Sequence, residues 1–331
     1  MTTFEGILLG LAYVALGVAL LVVAKLVRDL VTPYKLDEEL TTKDNPALGL
    51  SLAGYFLGVV IIFLGAAIGP EPDEAPSWTE LLFTFGIVGA YALGGIALLN
   101  IGVVILDRLV LSSFSIQKEI IEDRNLGTGA VVFGTYIATA LVVAGSVYGQ
   151  GVGPWWMGPV STIVFFVLGQ LALVLFGMLY RWITTYDLHG EIERDNVAAG
   201  VAFGLSIIAI GIVLLRATGQ DFAQVEAAVA EAKEAQIVEV ARAGEDIGRF
   251  VDESGAIEVT PSDRWGYALI DFGYYALGGV IVIALLRRVT DALLLPGSTI
   301  HEEIAGDKNV AAALIEGVVA IGVASTVYFM I

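Results

Sequence analysis

Four acidic bends hold most of the residues that could do chemistry. Each opens with Glu followed by Leu or Ile and closes on Asn: Glu39-Leu40 to Asn45, Glu119-Ile120 to Asn125, Glu191-Ile192 to Asn196, and Glu303-Ile304 to Asn309. An Asp lies just inside each Asn: Asp44, Asp123, Asp195 and Asp307. An apolar stretch rich in small residues follows at once. Asn in that place offers a side-chain oxygen to an orphan backbone N–H, so helix capping is the plain expectation. Asn45-Pro46 strengthens it, because Pro suits the first helical position. The functional alternative is that four positive helix ends converge to hold an anion or a lipid phosphate. The Glu-Leu and Glu-Ile pairs suggest a short interfacial helix with one residue anchored and one solvated. The carboxylates then either balance helix ends and nearby basic residues or form a ring that attracts cations.

Further polar candidates stand apart from this pattern. Both histidines precede a bend Glu by two residues, as His189-Gly190-Glu191 and His301-Glu302-Glu303. Two imidazoles with carboxylates could bind a divalent metal across the third and fourth bends, although no tighter metal motif supports it. Asp271 and Glu316 lie inside apolar stretches. Glu316, seven residues past Asn309, would sit about 10 Å along its helix at 1.5 Å per residue. A charge at the bilayer centre costs about 2.5–3.5 kcal/mol or more, so these two are the candidates for an ion path; a shallow or hydrogen-bonded carboxyl is the competing reading. No nucleophile elbow, phosphate-cradling loop or HExxH motif occurs, and neither an enzyme nor a cofactor is expected.

The elements that would position these residues follow from composition. Of 331 residues 57% are hydrophobic, mean hydropathy is +0.81, and there are 39 glycines and no cysteine. That excludes disulfides and thiolate metal sites. A formal charge of −18 argues against a nucleic-acid partner. A spanning helix needs about 20 apolar residues. Eight stretches qualify: 6–24, 47–68, 81–106, 126–148, 155–180, 197–215, 265–286 and 310–331. Strict alternation is absent, which disfavours a β-barrel. The first stretch has no basic leader and is read as a retained transmembrane helix.

An aromatic-x-Leu-Gly landmark precedes each bend, ending at Gly17, Gly94, Gly169 and Gly278. Gly17 to Glu39 matches Gly169 to Glu191 in length, and Gly94 to Glu119 matches Gly278 to Glu303. The chain is therefore a hairpin doubled and doubled again, with halves 1–150 and 155–331. The surplus in the second half falls at 220–260, where Phe222, Val225, Val229, Ile237, Val240, Ile247 and Phe250 recur near helical spacing. That insert is expected to be an amphipathic helix that lies on the membrane, pairs with another subunit, or packs on its own bundle.

Apart from Arg216, Lys233, Arg242, Arg249 and Arg264, every Lys and Arg belongs to or borders a bend, and the loops 70–78 and 149–154 have none. The bends are thus expected in the cytoplasm, with both termini and the insert outside. Because all four hairpins enter on one side, they are parallel repeats, unlike the inverted repeats of many transporters. The expected fold is all-α integral membrane: eight transmembrane helices as four parallel hairpin repeats, plus one extracytoplasmic amphipathic helical insert.

The Glu-Ile, Asp, Asn series opening small-residue helices, each preceded by aromatic-x-Leu-Gly, resembles the membrane proteins of domain of unknown function 350. Members look like pairs of such hairpins, and this chain resembles two members in tandem. The resemblance implies a bacterial or archaeal cell-membrane protein and carries no activity. The leading expectation is a non-enzymatic membrane scaffold or partner-binding component, with the bilayer, a homo-oligomer or a protein at the insert as partners. The alternative is a small-ion channel or transporter using Asp271 and Glu316.

Overall fold

The computed structural model describes residues 3–68, 77–110, 115–148, 154–243, 246–248, 250–251, 256–294, 299 and 301–330, with side chains at 3–4 and 286–294 left aside. The loop segments 69–76 and 149–153, and residues 244–245, 249 and 252–255 of the insert, lie outside the described residues.

Among the described residues, eight helices are long and apolar enough to cross a membrane. They are α1 (Thr3–Val31), α2 (Pro46–Ala67), α3 (Trp78–Leu109), α5 (Leu126–Val147), α6 (Met157–Ile183), α8 (Val197–Thr218), α10 (Pro261–Leu294) and α11 (Val310–Met330). The bends form short helical turns between them: π1 (Glu38–Thr42), α4 (Ile116–Ile121), α7 (Leu188–Glu193) and π2 (Glu302–Gly306). Several spans outrun the apolar stretches read from sequence. Helix α1 continues through Lys25, Arg28 and Asp29 to Val31, because charged residues end an apolar run without breaking a helix.

The helices that follow an Asn form a row, α2–α5–α8–α11, in which each packs mainly on its neighbours in that order. Small residues make the approach possible. A Cβ on Gly54 would meet the Phe133 backbone at 2.7 Å, and one on Gly211 the Ala138 backbone at 2.7 Å. Gly134 lies against the Gly204 carbonyl. With little hydrophobic drive between helices in lipid, such close packing is what holds them together. The helices that precede a bend lie outside the row. Helix α3 spans α2 and α5, α6 spans α5 and α8, and α10 spans α8 and α11, while α1 rests on α2.

The insert contains helix α9 (Phe222–Arg242), capped by Asp221, which accepts from the Ala223 N–H at 3.0 Å. Phe222, Val225 and Val229 are buried with Phe165 and Ala268, and Trp265 stacks on Phe165 with centroids 6.1 Å apart. Lys233 reaches Asp263 at 2.7 Å and Arg264 reaches Glu226 at 2.9 Å. The first half of α9 therefore packs on its own bundle. Its last turns are largely exposed, Val238 included.

Candidate functional site

The bends share one backbone plan. Each Asn N–H donates to the carbonyl of the Glu that opens its bend: Asn45 to Glu39 at 3.0 Å, Asn125 to Glu119 at 2.8 Å, Asn196 to Glu191 at 3.0 Å and Asn309 to Glu303 at 2.7 Å. The third bend is one residue shorter than the others, so its Asn N–H reaches back five residues where the other three reach back six. The longer three absorb the extra residue in a π-type bond: Lys43 to Glu38, Asp123 to Lys118 and Asp307 to Glu302. The residue before each Asn then turns left-handed, with φ of 47° at Asp44, 52° at Arg124, 56° at Asp195 and 51° at Lys308.

All four Asn cap the helices they precede. Their Oδ1 atoms accept from Leu48 N at 3.1 Å, Thr128 N at 2.9 Å, Ala199 N at 3.2 Å and Ala312 N at 3.3 Å. The other half of each amide does something that capping alone does not need. Asn45 Nδ2 donates to the Ile120 carbonyl at 2.8 Å, Asn125 Nδ2 to Ile192 at 2.7 Å, and Asn196 Nδ2 to Ile304 at 2.8 Å. Each bend is thus tied to the next by an amide whose oxygen starts a helix. These acceptors are not evident from the sequence as a function. The signal was the unbroken use of Asn, where an ionised Asp would cap as well but could not donate, and a Ser or Thr cap has no separate amide group to reach the next bend.

The Glu carboxylates turn inward onto this array. Glu119, Glu191 and Glu303 accept from the Nδ2 of their own Asn at 2.8, 2.9 and 2.7 Å. Glu39 instead pairs with Lys43 at 2.5 Å. Glu39 and Glu119 are each only 3% exposed, so the expectation of a solvated carboxylate beside an anchored Leu or Ile fails there. The Asn125 amide replaces water at Glu119, and Lys43 does so at one oxygen of Glu39, whose Oε2 has no hydrogen-bond partner among the described residues. Burial raises the Glu119 carboxyl above the usual carboxylate range, and the Asn125 bond opposes that shift. Asp44, Asp123, Asp195 and Asp307 are exposed, with Asp123 3.1 Å from Lys118.

The histidines occupy different surroundings. His189 is buried and hydrogen-bonded to the Val110 backbone, and burial lowers its pKa. His301 is exposed, its Nδ1 3.1 Å from Thr185 Oγ1. Among the described residues no group of three or more His, Asp or Glu has metal-holding proximity.

Asp271 belongs to a polar cluster at the far end of α8. It accepts from Gln220 Nε2 at 2.9 Å and lies 3.7 Å from Arg216. Arg216 also covers the Tyr275 ring at 4.2 Å and donates to its hydroxyl at 3.0 Å. Glu316 is 4% exposed within α11. Neither carboxylate lines the cavity of about 540 Å³ near Arg216 and Tyr328 or the one of about 250 Å³ near Arg28 and Asp107.

Eight apolar spans, four of them packed through small residues and stitched at their starts by asparagine, define a multi-pass helical membrane protein. The chain belongs to the family described as Domain of Unknown Function (DUF350), which matches residues 1–147 and again 154–331, consistent with two family units in tandem. A UPF0719 transmembrane protein of Aquifex aeolicus (strain VF5) is 22% identical over 196 residues, covering 58% of this chain and 68% of that protein. No solved structure matches.

Proposed function

We propose that this protein is a non-enzymatic scaffold of the cell membrane, built from four parallel hairpins and serving to organise or bind partners. In this reading the bends face the cytoplasm, and the termini and the α9 insert face outside, as the skew of Lys and Arg toward the bends favours. The observation that carries the reading is the state of the two intramembrane carboxylates. A translocation path would set Asp271 and Glu316 against a wetted cavity. Instead Asp271 is tied to Gln220 and Arg216, and Glu316 is buried in a helix packed on α8 through Gly317.

The test is ion flux in proteoliposomes, comparing wild type, Glu316→Gln and Asp271→Asn. Flux equal to that of empty liposomes is expected for all three. Flux in wild type that the substitutions abolish would overturn the scaffold reading in favour of a small-ion channel or transporter.

A further inference from the structure

The asparagine series runs in one direction, so its two ends are unlike. Each Nδ2 donates forward to the residue after the next bend's Glu, and among the described residues the series stops at Asn309, whose Nδ2 bonds Glu303. At the other end, the Leu40 carbonyl occupies the acceptor position and receives no Asn amide among the described residues. Asn309 and Leu40 are both half-buried, whereas their internal counterparts are buried. One end offers a donor and the other an acceptor.

The helix packing is open at the same two edges. Gly129, four residues past its Asn, lies on Ala47, two past the preceding Asn; Gly200 lies on Gly127 by the same rule. Carried one step further, the rule pairs Gly49 with Ala311. A Cβ on Gly49 would meet only Leu40 of its own bend, at 3.9 Å, and Ala311 is exposed. The outer helices repeat the message. Each of α3, α6 and α10 covers a seam between two row helices, with 33%, 50% and 28% of its apolar window buried, while α1 has one row helix beneath it and 11% buried.

We infer that the α11 edge of one copy docks on the α1–α2 edge of a second copy of this chain. Asn309 then donates to the Leu40 carbonyl of the next copy, Ala311 faces its Gly49, and its α1 covers the new seam. The inference rests on the parallel-hairpin reading above and specifies the partner surface within it. The contact is head-to-tail, so it closes into a ring or extends as a row.

The chain has no cysteine, which makes the test direct. Leu40→Cys and Ala311→Cys, which leave the close-approach Gly49 unsubstituted, are introduced together into the full-length protein, and membranes are oxidised. Disulfide-linked oligomers are expected, with none from Ala311→Cys combined with Val167→Cys, a lipid-facing position on α6. In the single-cysteine forms, side-selective thiol labelling is expected to reach both positions from the same face. Labelling from opposite faces would overturn the hairpin reading and the docking together; labelling from one face without cross-linking would overturn the docking alone. As a check independent of Leu40, Ala311→Trp in the cysteine-free chain is expected to convert oligomers to folded monomers. A monomeric wild type, or an oligomer indifferent to Ala311→Trp, would also overturn the docking.

Discussion

The row helices and the outer helices are equally apolar but are built for opposite neighbours. Helices α2, α5 and α8 present small residues to backbone, and several of their glycines sit where a methyl group would strike another helix: Gly54 on Phe133, Gly134 on Gly204, Gly200 on Gly127. Helices α1, α3 and α10 also contain glycines, yet Gly6, Gly10, Gly86, Gly94, Gly273 and Gly278 have nothing within 4 Å. Their outward faces carry Leu11, Val14, Leu82, Phe83, Ile270 and Leu277, all well exposed. Glycine content therefore does not locate the tight interface. What separates the classes is what the close glycines face: backbone at Gly54, Gly134 and Gly200 of the row, but side chains at Gly95, Gly102 and Gly279 of the outer helices and open space at Gly94 and Gly278.

The sharpest way to break that contrast is a pair of identical substitutions. Gly134→Ala places a methyl group against the Gly204 carbonyl, and neither backbone can yield without moving a helix. It is expected to cost about 3 kcal/mol or more, as overpacking does, and to lower the thermal midpoint in detergent markedly. Gly94→Ala meets open space. It is expected to be neutral or to gain up to about 1 kcal/mol from helix propensity. Equal losses at both sites would refute the division into row and outer helices.

A second contrast lies within the row, between its interior and its end. Asn125→Ala removes a helix cap, the forward bond to Ile192 and the amide that satisfies a buried Glu119. The sum of a lost cap and buried acceptors left unmet is about 3 kcal/mol. Asn309→Ala loses its cap and a bond to a less buried Glu303, with no forward bond. In the isolated monomer about 1 kcal/mol is expected, mainly the cap. Asn125→Asp sharpens the comparison, since it keeps the cap oxygen but removes the donor. Chemical denaturation of the three variants checks the order, and a smaller loss for Asn125→Ala than for Asn309→Ala would contradict it.

Sequence alone reveals the spans, the recurrence of the bends and the capping role of the Asn residues, because apolar length and cap chemistry are local properties. It shows less where the determinant is a neighbour distant in the chain. The acceptors Ile120, Ile192 and Ile304 use backbone carbonyls, which leave no mark on residue type. The burial of Glu39 and Glu119 depends on how the row closes over them. The aromatic-x-Leu-Gly landmark reads as one device, yet Gly17 and Gly169 touch Phe63 and Val142 while Gly94 and Gly278 touch nothing. Asp271 reads as an unpaired carboxylate because Arg216 and Gln220, which hold it, come from a different helix end.

The buried His189 gives a test that pH can reach. Burial lowers the His189 pKa, Arg181 lowers it further, and Asp187 and the Val110 bond oppose the shift. The unfolded chain therefore takes up this proton at higher pH than the folded one. Stability carried by neutral His189 is complete above about pH 6.5 and is lost as pH falls toward the depressed folded value. Thermal midpoints are expected to fall on acidification through that window. His189→Gln is expected to flatten the slope. An unchanged slope for His189→Gln would show that the ring is not held neutral by its site.

The smallest expected effect separates bends that look alike in the backbone. The residue before each Asn is left-handed, but Asp occupies it in the first and third bends and Arg124 or Lys308 in the second and fourth. Asp tolerates that conformation better than a long side chain, whose Cβ crowds the following carbonyl at about 1–2 kcal/mol. Glycine removes the clash and adds chain entropy to the unfolded state, so the two terms nearly offset. Arg124→Gly is expected to be neutral or to stabilise by up to about 1 kcal/mol, and Asp195→Gly to be neutral or slightly destabilising. Paired thermal melts decide it: a clear loss at Arg124 but not at Asp195 would mean that the Arg124 side chain contributes more than its backbone strain costs.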